Sequence, residues 1–232
     1  MATKVMTLVG TRPEIIKLSR VIAELDKIVN HILVHTGQNY DFELNEVFFN
    51  DLGVRKPNYF LEAVGDSTAE TIGNIIAKSD KVLEKENPDA VLLYGDTNST
   101  IGGAIAASKI NVPIVHVEAG LRSYNRKMPE EINRIVCDHL SSFLFSPIIT
   151  GYNNLINEGF NPNKKPPYTP DNPGIFHCGD IMYDNSLYFA EIALKNSKIL
   201  ENHSLDANNF VLATIHRNHN TDYEENLVSI YK

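Results

Sequence analysis

HVEAGLRSYNRKMPEEINR, running from His116 to Arg134, decides how the rest of this chain is read. It opens at the end of an apolar run, Val112-Pro113-Ile114-Val115-His116-Val117, whose length and β-branched content predict a short buried strand. Glu118 then stands where that strand leaves the sheet, which is where open α/β folds place their binding groups. Ala119 and Gly120 allow a tight turn, and a polar loop carrying Arg122, Arg126 and Lys127 follows. Pro129 starts a helix with Glu130 and Glu131 in its first turn and Ile132, Ile135 and Val136 behind them. Proline at the first helical position and carboxylates near the positive end of the helix dipole are ordinary helix-start chemistry. Alone, the Glu130–Glu131 pair therefore needs no function, and Glu118 is explained as well by a salt bridge to a nearby arginine. Their weight comes from the residues around them.

Upstream, Val5 to Val9 predicts a first strand, and Gly10-Thr11-Arg12-Pro13 turns directly into a helix striped by Ile15, Leu18, Ile22 and Leu25. A strand entering a helix through a glycine turn is a phosphate-receptive shape, because free N–H groups and the helix dipole meet there. Arg12 and Lys17 flank it, although neither the P-loop nor the dinucleotide glycine pattern is present. Ile32 to His35 predicts the second strand, Asp41 to Leu52 an amphipathic helix closed by Gly53, and Ser67 with Glu70 a capped helix start. Ala90 to Tyr94 reads as a strand leaving through Gly95-Asp96-Thr97, with Asp96 placed to cap the Gly- and Ala-rich helix that follows. Downstream, strands are expected at Phe143–Phe145 and Ile175–Cys178, an exposed loop at Asn161–Pro173 and a helix at Leu187–Leu200. A polar linker, residues 201–209, leads to a strand at Phe210–Ile215 with His216 and Arg217 at its end. This alternation predicts an α/β protein with a doubly wound, mostly parallel, Rossmann-like sheet.

A chain of 232 residues is long for one such unit and short for two. The net charge of −8 argues against a general nucleic-acid binder, while leaving room for an anionic small molecule held by a few local cations. Cys137 and Cys178 match no metal spacing and read as reduced thiols. MATKVMTLVG reads as a strand and not a signal peptide, and no run approaches the roughly 20 apolar residues of a membrane span. A cytoplasmic location, away from membranes, is the expectation.

Taken together the motifs resemble those of the non-hydrolysing UDP-N-acetylglucosamine 2-epimerases, enzymes of the glycosyltransferase-B type fold. The resemblance rests on GTRPEIIK at 10–17, HTGQNYD at 35–41, GDTNST at 95–100, HVEAGLRS at 116–123, MPEEINR at 128–134, GDIMYD at 179–184 and His216-Arg217. It spans essentially the whole chain. It implies inversion of carbon 2 of UDP-GlcNAc to give UDP-ManNAc, a polysaccharide precursor, by elimination of UDP and its re-addition to a 2-acetamidoglucal. No redox cofactor and no metal are implied, and a homodimer is. By position it assigns Asp96, Glu118, Glu130 and His216 to acid–base and electrostatic work. It assigns Arg12, Lys17, Gln38, Arg122 and Arg217 to substrate binding, with Gln38 matching a residue of a second, regulatory UDP-GlcNAc site in some members. Residues 1–200 then form an N-terminal domain, 201–209 a linker, and 210–232 the start of a second Rossmann-like domain. The competing readings are a 2-epimerase of a 6-deoxy UDP-sugar, favoured by HTGQNYDFELNEVFF, a retaining glycosyltransferase on the same fold, and a folded fragment without turnover.

Overall fold

A computed structural model describes residues 2–38, 52–206, 209–215 and 218–232. The helix expected from Asp41 therefore lies outside the described residues, apart from its last position. The chain divides into two compact units, Met1–Leu187 and Tyr188–Lys232. The first begins β1 (Lys4–Val9), α1 (Arg12–Ile28), β2 (Asn30–His35), β3 (Tyr59–Phe60), α2 (Thr68–Glu86) and β4 (Ala90–Tyr94). It continues with α3 (Asn98–Lys109), β5 (Ile114–Val117), α4 (Pro129–Leu140), β6 (Phe143–Ser146), α5 (Ile149–Asn157) and β7 (Gly174–His177). Helix α6 (Ile181–Asn196) starts within it.

The strands form one parallel sheet in the order β3-β2-β1-β4-β5-β6-β7. Chain order reverses between β1 and β4, the switch point where a doubly wound sheet opens a crevice at its carboxyl edge. Side-chain alternation along the strands buries apolar residues on both faces of the sheet. Met6, Leu8, Val91, Leu93 and Ile114 pack on one face beneath Leu83, Ala104, Ala107 and Cys137. Val9, Leu33, Leu92 and Tyr94 pack on the other against Ile15, Leu18 and Ile22 of α1. Helix α3 lies close to the sheet because it carries glycine where a side chain would not fit. A Cβ on Gly103 would stand 2.8 Å from Leu93, and one on Gly102 2.5 Å from Ile75.

Local chemistry explains most boundaries. Thr11 caps α1 in a full capping box with Glu14, and Ser67 caps α2 by accepting from the Glu70 N–H. Thr97, not Asp96, caps α3, so Asp96 is released from the structural role considered for it. Helix α6 begins at Ile181 rather than Leu187, because Asp180 accepts from the Met182 N–H at 2.8 Å and turns the chain early. The two-residue strand β3 had no counterpart among the expected elements.

The second unit contains the rest of α6, then α7 (Ile199–Asn202), α8 (Asn218–Thr221) and α9 (Glu224–Ile230). The strand expected at Phe210–Ile215 does not form: these residues have no regular secondary structure and no ladder pairing, and Val211 and Leu212 are exposed. A lone apolar run has no neighbour to satisfy its backbone groups as a strand. Among the described residues no helix is long and apolar enough to cross a membrane.

Candidate active site

The carboxyl edge of the sheet gathers the turns after β1, β2, β4, β5 and β7. Pairing of Tyr94 with Val117 brings β4 and β5 out level, so Asp96 and Glu118 leave the sheet side by side. The turns touch: a Cβ on Gly95, which has φ +64°, would lie 3.1 Å from the Glu118 carboxylate. Glu118 itself is left-handed, with φ +73°. A non-glycine residue adopts that conformation at a cost of about 1–2 kcal/mol, so the surroundings must impose it.

Each of these carboxylates has its own cation. Lys17 Nζ reaches both oxygens of Glu118 at 3.1 Å and lies 5.1 Å from the Tyr94 ring centre. Burial raises the Glu118 pKa; Lys17 opposes the rise, and the neighbouring Asp96 and Asp180 add to it. Asp96 is ion-paired to Arg134, and the Asn133 side chain donates to the Asp96 carbonyl at 2.8 Å. The Asn-Arg end of MPEEINR therefore grips the Asp96 turn, a pair of positioning residues that the sequence reading left unassigned. Glu130 is exposed at the start of α4 and lines a cleft of about 430 Å³ together with Asp96, Asn98, Asn133, Gln38 and Thr11. A larger hollow, about 530 Å³, is walled by Val5, Leu92, Val115, Phe143 and Phe145, a lining too apolar for acid–base work. The polar cleft is the candidate active site; Asp96 and Glu130 line it, while Glu118, Lys17 and Arg12 stand outside its lining.

The two glutamates of the Pro-Glu-Glu run divide their labour. Glu131 is buried and accepts from the Ser123 N–H and hydroxyl, the Tyr124 N–H and Arg134. Burial works against its charge, but these donors outweigh it and hold its pKa below the ordinary carboxylate value. Glu131 thus secures the loop, leaving Glu130 open to a ligand.

The glycine turn after β1 differs from the anion cradle expected of it. Gly10 N–H and Thr11 N–H both donate to Glu14, at 2.8 and 2.9 Å, and the Thr97 hydroxyl donates to the same carboxylate at 2.7 Å. Glu14 ties the turns of β1 and β4 together across the switch point. Those two N–H groups are therefore already engaged within the chain. Arg12 is half-buried and makes no ion pair among the described residues. Gln38 is also engaged, its Oε1 accepting from the Ser99 N–H at 3.0 Å and hydroxyl at 2.9 Å at the start of α3. That leaves its amide nitrogen for a ligand.

Arg122, expected to bind substrate, sits in a buried ionic setting. Its side chain is 1% exposed and pairs with Asp138 and Glu158, both at 2.7 Å, a scaffold role that the sequence did not indicate. His216 and Arg217 lie outside the described residues. Among the described residues no group of three or more His, Cys, Asp or Glu side chains is arranged to hold a metal ion.

The α/β sheet thus carries carboxylates paired with cations on its carboxyl edge. Residues 23–232 match the family model for UDP-N-acetylglucosamine 2-epimerase, and the chain belongs to that family. It is 48% identical over 228 residues to the UDP-N-acetylglucosamine 2-epimerase homolog of Methanococcus maripaludis, covering 98% of this chain and 61% of that protein. It is 43% identical to the UDP-2,3-diacetamido-2,3-dideoxy-D-glucuronate 2-epimerase of Pseudomonas aeruginosa, again covering 98% and 61%. The crystal structure of the Methanocaldococcus jannaschii UDP-GlcNAc 2-epimerase in complex with UDP-GlcNAc and UDP superposes with a TM-score of 0.85 at 39% identity, over 99% of this chain and 61% of that one. The chain thus spans about three-fifths of the length of these relatives.

Proposed function

We propose that this chain supplies the carboxylate-bearing part of a UDP-N-acetylglucosamine 2-epimerase that interconverts UDP-GlcNAc and UDP-ManNAc. One observation carries the reading. Asp96 and Glu118 follow the ends of adjacent strands whose turns are joined by the Gly95 N–H donating to the Val117 carbonyl at 3.0 Å, each carboxylate held by a separate cation, Arg134 or Lys17. Inversion at carbon 2 needs proton removal on one face and proton delivery on the other. A base takes the carbon-2 proton, the C–H electron pair becomes the C1–C2 double bond, and the C1–O bond breaks with its electrons leaving on UDP. The 2-acetamidoglucal then accepts a proton at carbon 2 from the opposite face while a UDP phosphate oxygen re-forms the bond to carbon 1.

Glu118, with its pKa raised by burial, holds a proton to higher pH than an ordinary carboxylate, which suits it to proton transfer. Asp96 and Glu130 supply the further carboxylates, and Arg12 and Lys17 the charge for the departing diphosphate. By the family resemblance alone, His216 and Arg217 belong to the same proposal, as part of a second Rossmann-like domain beginning at residue 210, after a first domain of residues 1–200 and a linker at 201–209. A cytoplasmic homodimer follows from the family resemblance and belongs to the same proposal; light scattering on the full-length protein checks the dimer.

A second reading concerns the sugar. The Pseudomonas aeruginosa relative is named for a substrate with a second acetamido group and a carboxylate, and carbon 2 is the centre it shares with UDP-GlcNAc. Offering the full-length enzyme UDP-GlcNAc, that sugar nucleotide and a 6-deoxy analogue in D2O tests the reading. Deuterium should enter carbon 2 of UDP-GlcNAc fastest. Exchange confined to another sugar would reassign the substrate, and exchange with none would remove the epimerase reading. The 232-residue chain alone should bind UDP weakly and exchange little.

A further inference from the structure

Behind the two catalytic turns lies a buried ionic cluster that the proposed chemistry does not use. His116 and Asp138 are both 0% exposed at their side chains, and Arg122 is 1% exposed. His116 Nδ1 lies 2.7 Å from Asp138 Oδ1, and its Nε2 lies 2.8 Å from the Gly95 carbonyl oxygen. Both partners are acceptors. Asp138 is ionised, because its other oxygen accepts from the Gly120 N–H at 3.1 Å and pairs with Arg122 at 2.7 Å. A neutral imidazole owns one N–H and would turn a lone pair toward one of these acceptors, whereas an imidazolium satisfies both.

The connections matter because of what they join. Gly95 immediately precedes Asp96. His116 stands two residues before Glu118 and Gly120 two residues after it, and one carboxylate, Asp138, holds both. The short segment between them contains the left-handed Glu118 and Gly120, with φ +73° and +81°, and its Glu118 and Ala119 N–H groups both donate to the Phe145 carbonyl at 3.0 Å. A shift of His116 therefore moves the Asp96 turn and the Glu118 turn together.

Resting on the epimerase reading above, we propose that His116 is a positioning residue: as a buried imidazolium bridging Asp138 and the Gly95 carbonyl, it sets the separation of Asp96 and Glu118 and holds Glu118 in its left-handed conformation. The groups that face the ring are Asp138 and Cys137 on α4 and the Gly95 carbonyl, with Arg122 one contact further on. Burial disfavours the charge, but Cys137 and Asp138 outweigh it and keep the ring's pKa well above the ordinary histidine value. Burial likewise works against the charge on Asp138, and His116 and Arg122 overcome it.

The test uses the full-length enzyme with His116→Gln and Asp138→Asn, measuring kcat and KM for deuterium entry at carbon 2. Reacting groups displaced by about 1 Å lose roughly a hundredfold in rate, so kcat should fall by about that factor while KM stays within about threefold. Neither substituted residue touches the cleft, which is why binding should survive. A folded His116→Gln enzyme with the wild-type kcat, or one that loses only KM, overturns the proposal. Should a variant not fold, nitrogen-15 NMR of the wild-type 232-residue chain decides. Both ring nitrogens of His116 protonated at pH 8 supports the bridge, and one bare nitrogen overturns it. Absence of exchange by the wild-type full-length enzyme would remove the epimerase reading instead, independently of the state of the ring.

Discussion

Replacing Lys17 by methionine removes the cation from Glu118 while keeping an aliphatic stem of similar length beside Tyr94. The lost pair is 3.1 Å long, with side-chain exposures of 26% and 17%. At an effective dielectric of about 20 its gross attraction is about 5 kcal/mol. Desolvation of both ions offsets part of that, and leaving Glu118 without its partner should cost about 2 kcal/mol. For a chain of this size that is a fall in Tm of roughly 4–8 °C. The loss must depend on pH. Burial sets the folded pKa of Glu118 above its unfolded value. Between those two values the folded chain binds the extra proton, so stability falls as pH rises through the window. Lys17 limits that window, and its removal extends it upward. Thermal unfolding of the 232-residue chain should therefore show the full deficit at pH 8 and a smaller one at pH 4, below the ordinary carboxylate pKa, where a Glu118 of raised pKa carries its proton. Equal deficits at both pH values, or none at pH 8, would refute the claim that Lys17 holds a charged Glu118.

Arg12→Ala in the full-length enzyme should weaken UDP binding by about 1.5–3 kcal/mol by calorimetry, the value of a charge-assisted contact; unchanged affinity would return Arg12 to a solvated surface cation. Gly120→Ala places a Cβ 2.3 Å from the Gly151 carbonyl oxygen at φ +81°. Strain and clash together should destabilise the chain by about 2–4 kcal/mol in urea unfolding, and a loss below about half a kcal/mol would show that the α5 start yields to it.

The strands of the first unit were legible because each is a short apolar run bounded by turn residues, and parallel strands buried on both faces have that pattern. Tyr59–Phe60 was not, since two residues carry no periodicity. Phe210–Ile215 failed in the opposite sense: its apolar content is that of a strand, but a strand exists only through a neighbour. At the site, motif order located Asp96, Glu118 and Glu130 but not their supports. Arg122 is a loop cation by sequence and a buried scaffold by contact with Asp138, which is distant along the chain. Arg134 could have been found from its i,i+3 spacing to Glu131. His116 and Asp138 left a subtler trace, as a titratable residue inside a strand and another amid the apolar positions of a helix.

The central claim is that Asp96 and Glu118 perform proton transfer at carbon 2, and one measurement addresses it directly. Full-length enzyme, Asp96→Asn and Glu118→Gln are each incubated with UDP-GlcNAc in D2O, and deuterium at carbon 2 is followed by NMR. Loss of a general acid or base typically lowers rates about 10²–10⁴-fold, so the wild type should incorporate one deuterium and both variants should fall by at least the lower factor while remaining folded. Exchange by Glu118→Gln at the wild-type rate would contradict the account, because a carboxamide cannot carry that proton.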